Sequence, residues 1–394
     1  MAVTTPEALR TQTAAVLDKV GFLRRFLRAR IWHGAEWYIT VLGGAILVTV
    51  AGVTVLAPVL APHDPNEFIG AQFTVPGGGR QALLARNGEV PIAGDADLAG
   101  VVIGVQRNRN GANLAKRLGA EGVRFEDQQA LVGGLKAGEV DLILIDESVG
   151  QELAAADSQL ELVATGLGLR FVLGTDNLGR DITSRLIWGA RTVLGVALSS
   201  ALLASSFGIP LGLLSGFVAG RLDKVLSLTM DSIYSFPGFL LAIAMATMLG
   251  PGVINVAIAI SVIYIPTFFR VVRGQVLSIK EQLYVEAARS LGARGTDILV
   301  RYIFPNVIPS VVVVFSLNIA DAILTEAGLS FIGLGLPPDV PDWGYDLSKG
   351  HQFLIAGHWW MITFPGVLIS LVAAGFSLLG EGLSEMLNPR LSET

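Results

Sequence analysis

The chain predicts an α-helical membrane protein: six spanning helices, with a small α/β external domain inserted between the first and the second. Three observations carry this. Of 394 residues, 52% are hydrophobic and only 15% are charged, where a soluble domain carries about 25% charged residues. Six apolar stretches approach the roughly 20 residues that a bilayer-spanning helix needs. Between the first two, the pattern changes to short strands alternating with short helices.

The formal net charge of −5 supplies no bulk basic field for nucleic acid. Cysteine is absent, which excludes disulfides, thiol catalysis and Cys-ligated metal. The segment 1–37 reads as a cytoplasmic tail that is polar and basic, ending Arg24-Arg25-Phe26-Leu27-Arg28-Ala29-Arg30. The first apolar run, 38–60, follows it. It reads as a retained span rather than a cleavable signal.

Further spans are expected near 192–218, 232–250, 252–272, 306–332 and 361–386. The third is interrupted by Pro237-Gly238. The stretch before it, Leu222 to Ile233, has apolar residues at helical spacing and reads as an interfacial helix turning into a short span. Lys and Arg set the orientation. They crowd the amino-terminal tail, the 219–236 loop (Arg221, Lys224) and the loop between spans four and five (Arg270, Arg273, Lys280, Arg289, Arg294, Arg301). The opposite short segments hold only Lys349. Both termini, including 387–394, are therefore expected in the cytoplasm, and 61–191 outside, in a bacterial or archaeal cytoplasmic membrane.

Residues 61–91 are rich in Pro and Gly and read as a linker. Residues 92–168 read as a small parallel α/β domain. They resemble one lobe of a periplasmic polar-amino-acid-binding protein through Val102-Ile103-Gly104-Val105-Gln106, Leu131 to Asp141 and Leu142-Ile143-Leu144-Ile145-Asp146-Glu147. Such proteins follow the first strand with a Gly-Thr/Ser pair. Here Arg107-Asn108-Arg109-Asn110 stands there, and the length allows one lobe only. Gln106, Arg109 and Asp146 form a possible ligand site, and Asp146 matches a position that often holds a ligand amine. The alternative is a spacer in which Asp146 merely ends a strand.

The loop 273–305 contains Tyr284-Val285-Glu286-Ala287-Ala288-Arg289-Ser290-Leu291-Gly292. Leu283 to Leu291 are good helix formers and Gly292 is a natural stop. Glu286 and Arg289, three apart, can pair. Ala287 and Ala288 would leave a smooth surface. This stretch resembles the coupling loop of an ATP-binding-cassette importer permease: Glu286-Ala287-Ala288, Gly292 and Pro305 keep the family spacing, with Tyr302 and Phe304 as apolar replacements. The resemblance implies that Tyr284, Glu286, Ala287, Ala288, Arg289, Leu291, Gly292 and Pro305 dock the helix on a separate ATPase.

Three more stretches are similar to the second, C-type permease subunit of dipeptide, oligopeptide and nickel importers. They are Leu173 to Arg191, Glu326 to Gly335, and Leu378 to Leu383 with Asn388-Pro389-Arg390. The first, within 169–191, carries Gly174, Thr175, Asp176, Gly179, Arg180 and Asp181. It reads as a turn capping an interfacial helix, with Arg180, Arg185 and Arg191 at the outer interface and Ile182, Leu186 and Trp188 toward lipid or a neighbour.

Beyond the permease core 192–386 as within it, the sequence holds no Gly-x4-Gly-Lys-Ser/Thr loop, so no P-loop site. The resemblance therefore implies no cofactor in this chain, with ATP and Mg bound by one or two ATPase subunits. It also implies a homologous second permease, an extracytoplasmic solute-binding protein and the lipid bilayer as partners. His351 and His358 alone are a weak metal pair. Ionisable residues within spans default to functional hypotheses. Asn318 and Asp321 would line the path on one face of span five and contact a cationic peptide amine or the partner permease, with Glu326 near its outer end; the alternative is a helix–helix hydrogen bond inside the bundle. The rival readings are an ion-gradient-driven transporter, which needs broken helices in both halves, and a receptor or permease with a ligand-sensing external domain. Dipeptides, longer peptides and nickel chelates stay open as cargo.

Overall fold

A computed structural model describes residues 35–386 apart from 71, 89–97, 99, 107–110 and 169. The basic tail, the segment from 387 and Arg109 lie outside the described residues.

Helix α1 (Ala35–Val55) is followed by a single turn, Ala57–Leu60. The insert then runs β1 (Gln81–Arg86), β2 (Val102–Gln106), α2 (Gly111–Arg117), β3 (Glu121–Phe125), α3 (Gln128–Ala137), β4 (Leu142–Asp146), α4 (Glu147–Ala156) and β5 (Leu160–Leu167). The membrane part follows as α5 (Ile182–Val218), α6 (Gly220–Tyr234), α7 (Gly238–Leu249), α8 (Val253–Ile279), α9 (Leu283–Ser290), α10 (Phe304–Phe331), α11 (Trp343–Phe353) and α12 (Trp360–Met386).

Among the described residues, five helices are long and apolar enough to cross a membrane, or six if α6 and α7, bent by 87° at their break, count as one span. Pro237 stands at that break, where it cannot continue a helix. Prolines 210, 266, 309 and 365 sit inside α5, α8, α10 and α12. Neighbouring helices make such prolines tolerable in membrane spans.

The spans share one apolar core. Val193, Val196, Ala197 and Ala201 of α5 meet Val256, Ala259 and Ile260 of α8, Ile319 and Ile323 of α10, Trp343 of α11, and Ile369 and Val372 of α12. Gly208, Gly212 and Gly216 form a stripe on α5 against Phe268, Phe269, Val272 and Val276 of α8. Small residues at four-residue spacing let two backbones approach closely, the usual means of helix packing where lipid removes the hydrophobic drive. Helix α5 is continuous from Ile182, so the expected interfacial helix and second span are one element.

The insert differs from expectation in two ways. Its five-stranded sheet has the order β3-β2-β4-β1-β5. Strand β2 pairs parallel with β3 and β4, but β1 is antiparallel to both β4 and β5. The sheet is mixed, not parallel. Strand β1 also lies inside the stretch read as linker. Ala82, Leu83, Leu84 and Ala85 are buried on both faces, so the segment shows a short apolar run rather than alternation. Two core layers flank the sheet: Leu131, Leu135 and Ile143 on one side, and Ile103, Val105 and Leu144 on the other.

Candidate functional site

Two assemblies occupy opposite ends of α5, and α10 carries three further polar candidates.

The first is a short projecting helix, α9. Its inner face is Val285 and Ala288, which are buried; Leu283, Tyr284, Glu286, Ala287 and Arg289 are exposed. Ala288 therefore does not belong to the smooth surface expected of it, whereas Ala287 does. Gly292 ends the helix at φ 83°. Its N–H donates to Arg289 O and the Ala293 N–H to Ala288 O, at 3.0 and 3.1 Å, the Schellman closure. Leu291, 89% exposed, stands at the tip. Among the described residues no ion pair joins Glu286 and Arg289, both of which are exposed.

The root of this projection is apolar. Val285 and Ala293 join Val272, Val276 and Ile279 of α8, Ile298, Ile303 and Val307 of the run into α10, and Phe217 of α5. A π-helical stretch, Ile298–Ile303, carries the chain into α10, and Pro305 is exposed in that helix's first turn. Lys280 Nζ donates to Gly216 O at 3.0 Å, and Arg273 Nη2 to Asp223 Oδ2 at 2.8 Å. These contacts tie the root of α9 to the ends of three spans.

The second assembly is the turn 174–181. Asp176 Oδ1 accepts from the Leu178 and Arg180 amides, and its Oδ2 from Arg180 Nε at 2.6 Å. Asp181 caps α5: Oδ1 accepts from Thr183 N, while Oδ2 accepts from Ser184 N and Oγ and lies 3.3 Å from His63 Nδ1. Gly174 and Gly179 both have positive φ. Thr175 Oγ1 accepts from Thr74 N, and Thr175 O accepts from Trp360 Nε1.

Contrary to the expected interface position, Arg180 and Arg185 are buried, as are Ile182 and Leu186. Arg185, 1% exposed, reaches Asp346 of α11 at 2.9 Å through Nε and donates to Asn66 Oδ1 at 3.2 Å through Nη1. Trp343 Nε1 donates to Leu186 O. Arg191 alone of the three arginines is exposed. The motif is an internal clasp that joins residues 63–78, α5, α11 and α12.

In α10 the three candidates part. Asn318 is buried, its Nδ2 donating to Val314 O. Asp321 is exposed on the chain, so the two do not share an accessible face. Glu326 is fully buried rather than near a surface, and it accepts from Ser330 Oγ at 3.1 Å. Asp342 caps α11 through the Gly344 and Tyr345 amides. Burial pushes the Asp342 carboxyl above the ordinary carboxylate range, and the Asp346 charge adds to this. Sequence reasoning missed Asp342 and Asp346; their signal was acidic residues flanking a tryptophan in an otherwise apolar chain.

In the insert, Gln106 and Asp146 end the adjacent parallel strands β2 and β4. His358 stacks on Phe73 at 4.1 Å and meets Trp360 edge-on, while His351 packs edge-on against Phe331. Both rings are used in packing.

Residues 208–393 match the family of binding-protein-dependent transport system inner membrane components. The glutathione transport system permease protein GsiD of Pectobacterium atrosepticum is 43% identical over 220 residues, which cover 56% of this chain and 72% of that protein. The chain belongs to this family. It is an inner-membrane permease subunit, and ATP hydrolysis falls to a separate subunit. A putative peptide transport system permease protein of Brucella suis is 39% identical over 57% of this permease and 75% of its own length. The inward-facing MetNI methionine transporter overlaps 52% of the permease and 96% of its own chain at 18% identity with a TM-score of 0.44, too slight to carry an argument. The matched region begins within α5, so the insert lies outside it.

Proposed function

We propose that this permease forms half of an importer pore for short peptides or peptide-like solutes such as glutathione. A homologous second permease would complete the pore, and one or two ATPase subunits would bind ATP and Mg. An extracytoplasmic binding protein would deliver cargo. The cargo class rests on the named functions of the relatives above. The tails and α9 are assigned to the cytoplasm, and the clasp and insert to the outside, from the Lys and Arg distribution.

One observation carries the mechanism: α9 presents Leu283, Tyr284, Ala287 and Leu291 outward while its root is shared by three spans. An exposed apolar ridge on an otherwise polar projection fits a partner's groove. ATP-driven closure of the motors would push on the ridge, and the rigid root would convert that push into rearrangement of α5, α8 and α10.

The test is co-purification. ATPase subunits are expected to accompany the tagged permease and to be lost from Ala287→Arg with Leu291→Asp, while the second permease stays bound. ATP-dependent uptake of glutathione or a dipeptide into proteoliposomes should vanish in the same variant. Retention of the motor, or uptake without any motor, overturns the reading.

A further inference from the structure

Asp321 sits about 15 Å along α10 from Phe331, by the rise per residue of a helix. It is exposed on this chain, and its carboxylate finds no ion-pair or hydrogen-bond partner among the described residues. A bare carboxylate in a span is too costly to face lipid, so such groups face a water-filled path or a protein partner. The surface around it is built. Thr325 Oγ1 donates to Asp321 O at 2.8 Å. Tyr264 of α8 reaches Thr325 Oγ1 at 3.1 Å.

The hydrogen bookkeeping sets the polarity of this patch. The single Thr325 hydroxyl hydrogen goes to the Asp321 carbonyl, so the Tyr264 hydroxyl must be the donor to Thr325. The Tyr264 oxygen then offers only lone pairs, as does the Asp321 carboxylate when ionised. An acceptor-only patch with a negative charge accepts a donor-rich cation.

We propose that Asp321, flanked by Tyr264 and Thr325, is a cation-accepting station on the translocation path that takes the primary ammonium group of the cargo. This rests on the importer reading for its cargo, but not for its charge selectivity. Tyr264 joins the station from a second helix, so relative movement of α8 and α10 opens or closes it. Asn318 and Glu326 are not part of it.

The absence of native cysteine in this chain permits a direct test. Leu324, on the Asp321 face and 51% exposed, takes the substitution Leu324→Cys. The full chain in its native membrane is treated with cationic and anionic methanethiosulfonates of matched size. The expected result is faster modification by the cationic reagent. The cation-to-anion rate ratio should fall about tenfold in the added Asp321→Asn background, the scale of one poorly screened charge at close range, and persist with Asp321→Glu. No modification by either reagent means the face is sealed by a neighbour and overturns the proposal. Equal rates with Asp321 intact do so as well, without need of the second substitution. Loss of motor co-purification would sink the importer reading and leave these rates readable.

Discussion

Arg185 is the residue on which the clasp turns. Its guanidinium, carried on the first turn of α5, is buried, and two distant segments converge on it: Pro65 with Asn66, and Asp346 of α11. Removing one partner of a buried ion pair strands the other, at a cost of about 3–5 kcal/mol, whereas replacing both with apolar groups of similar volume is far milder. Arg185→Ala is therefore expected to lower the melting temperature of the detergent-purified permease markedly. Arg185→Met with Asp346→Leu should recover most of the loss. Equal destabilisation by single and double variants would show that the pair contributes little. Gly292 works by conformation instead. At φ 83° a side chain costs roughly 1 kcal/mol or more, so the helix stop that shapes the α9 tip depends on the missing Cβ.

At the scale of elements, the pairing of α5 with α8 is the permease's backbone. A Cβ placed on Gly212 would lie 2.7 Å from Phe269 O and 2.9 Å from the Val272 Cβ, neither of which is the far end of a flexible chain. Gly212→Leu should force the helices apart, and overpacking of this kind costs about 1–3 kcal/mol or more. The outcome to measure is resistance to proteolysis in the membrane, expected to drop for Gly212→Leu and to hold for Gly195→Leu, whose Cβ meets nothing within 4 Å. Equal resistance of the two would refute close packing along this stripe.

Taken whole, the molecule is a permease with a second hydrophobic centre added. The insert buries its own two layers around the mixed sheet, and these share no residue with the two membrane clusters. Its ends meet at the clasp, where Gly77 N donates to Phe171 O and Phe171 N to Gly78 O at 2.8 and 2.9 Å. Domains with their own cores and adjacent ends are tolerant of removal. Replacing 80–168 with a short Gly-Ser linker should leave membrane insertion and motor co-purification intact. Collapse of the permease on that deletion would show that the insert is part of its fold.

Much of this was legible in order along the chain. Length and hydropathy located the spans, because lipid enforces long apolar helices. Pro237 marked the break, the glycine at 292 marked the end of α9, and the Glu-Ala-Ala spacing marked the family. What the chain order could not carry was which residues face each other. The strand β1 hid in a Pro- and Gly-rich stretch because burial on both faces erases alternation. Arg180 and Arg185 read as surface charges because their partners are distant or locally folded: Asp346 lies 161 positions away. Asn318 and Asp321 seemed one face by spacing, and only packing of α10 against its neighbours separated them. Local sequence determined elements and their chemistry, since propensity and hydropathy act over a few residues; burial, pairing and the exposure of Asp321 were decided by tertiary contacts, since these form between segments that the sequence keeps far apart.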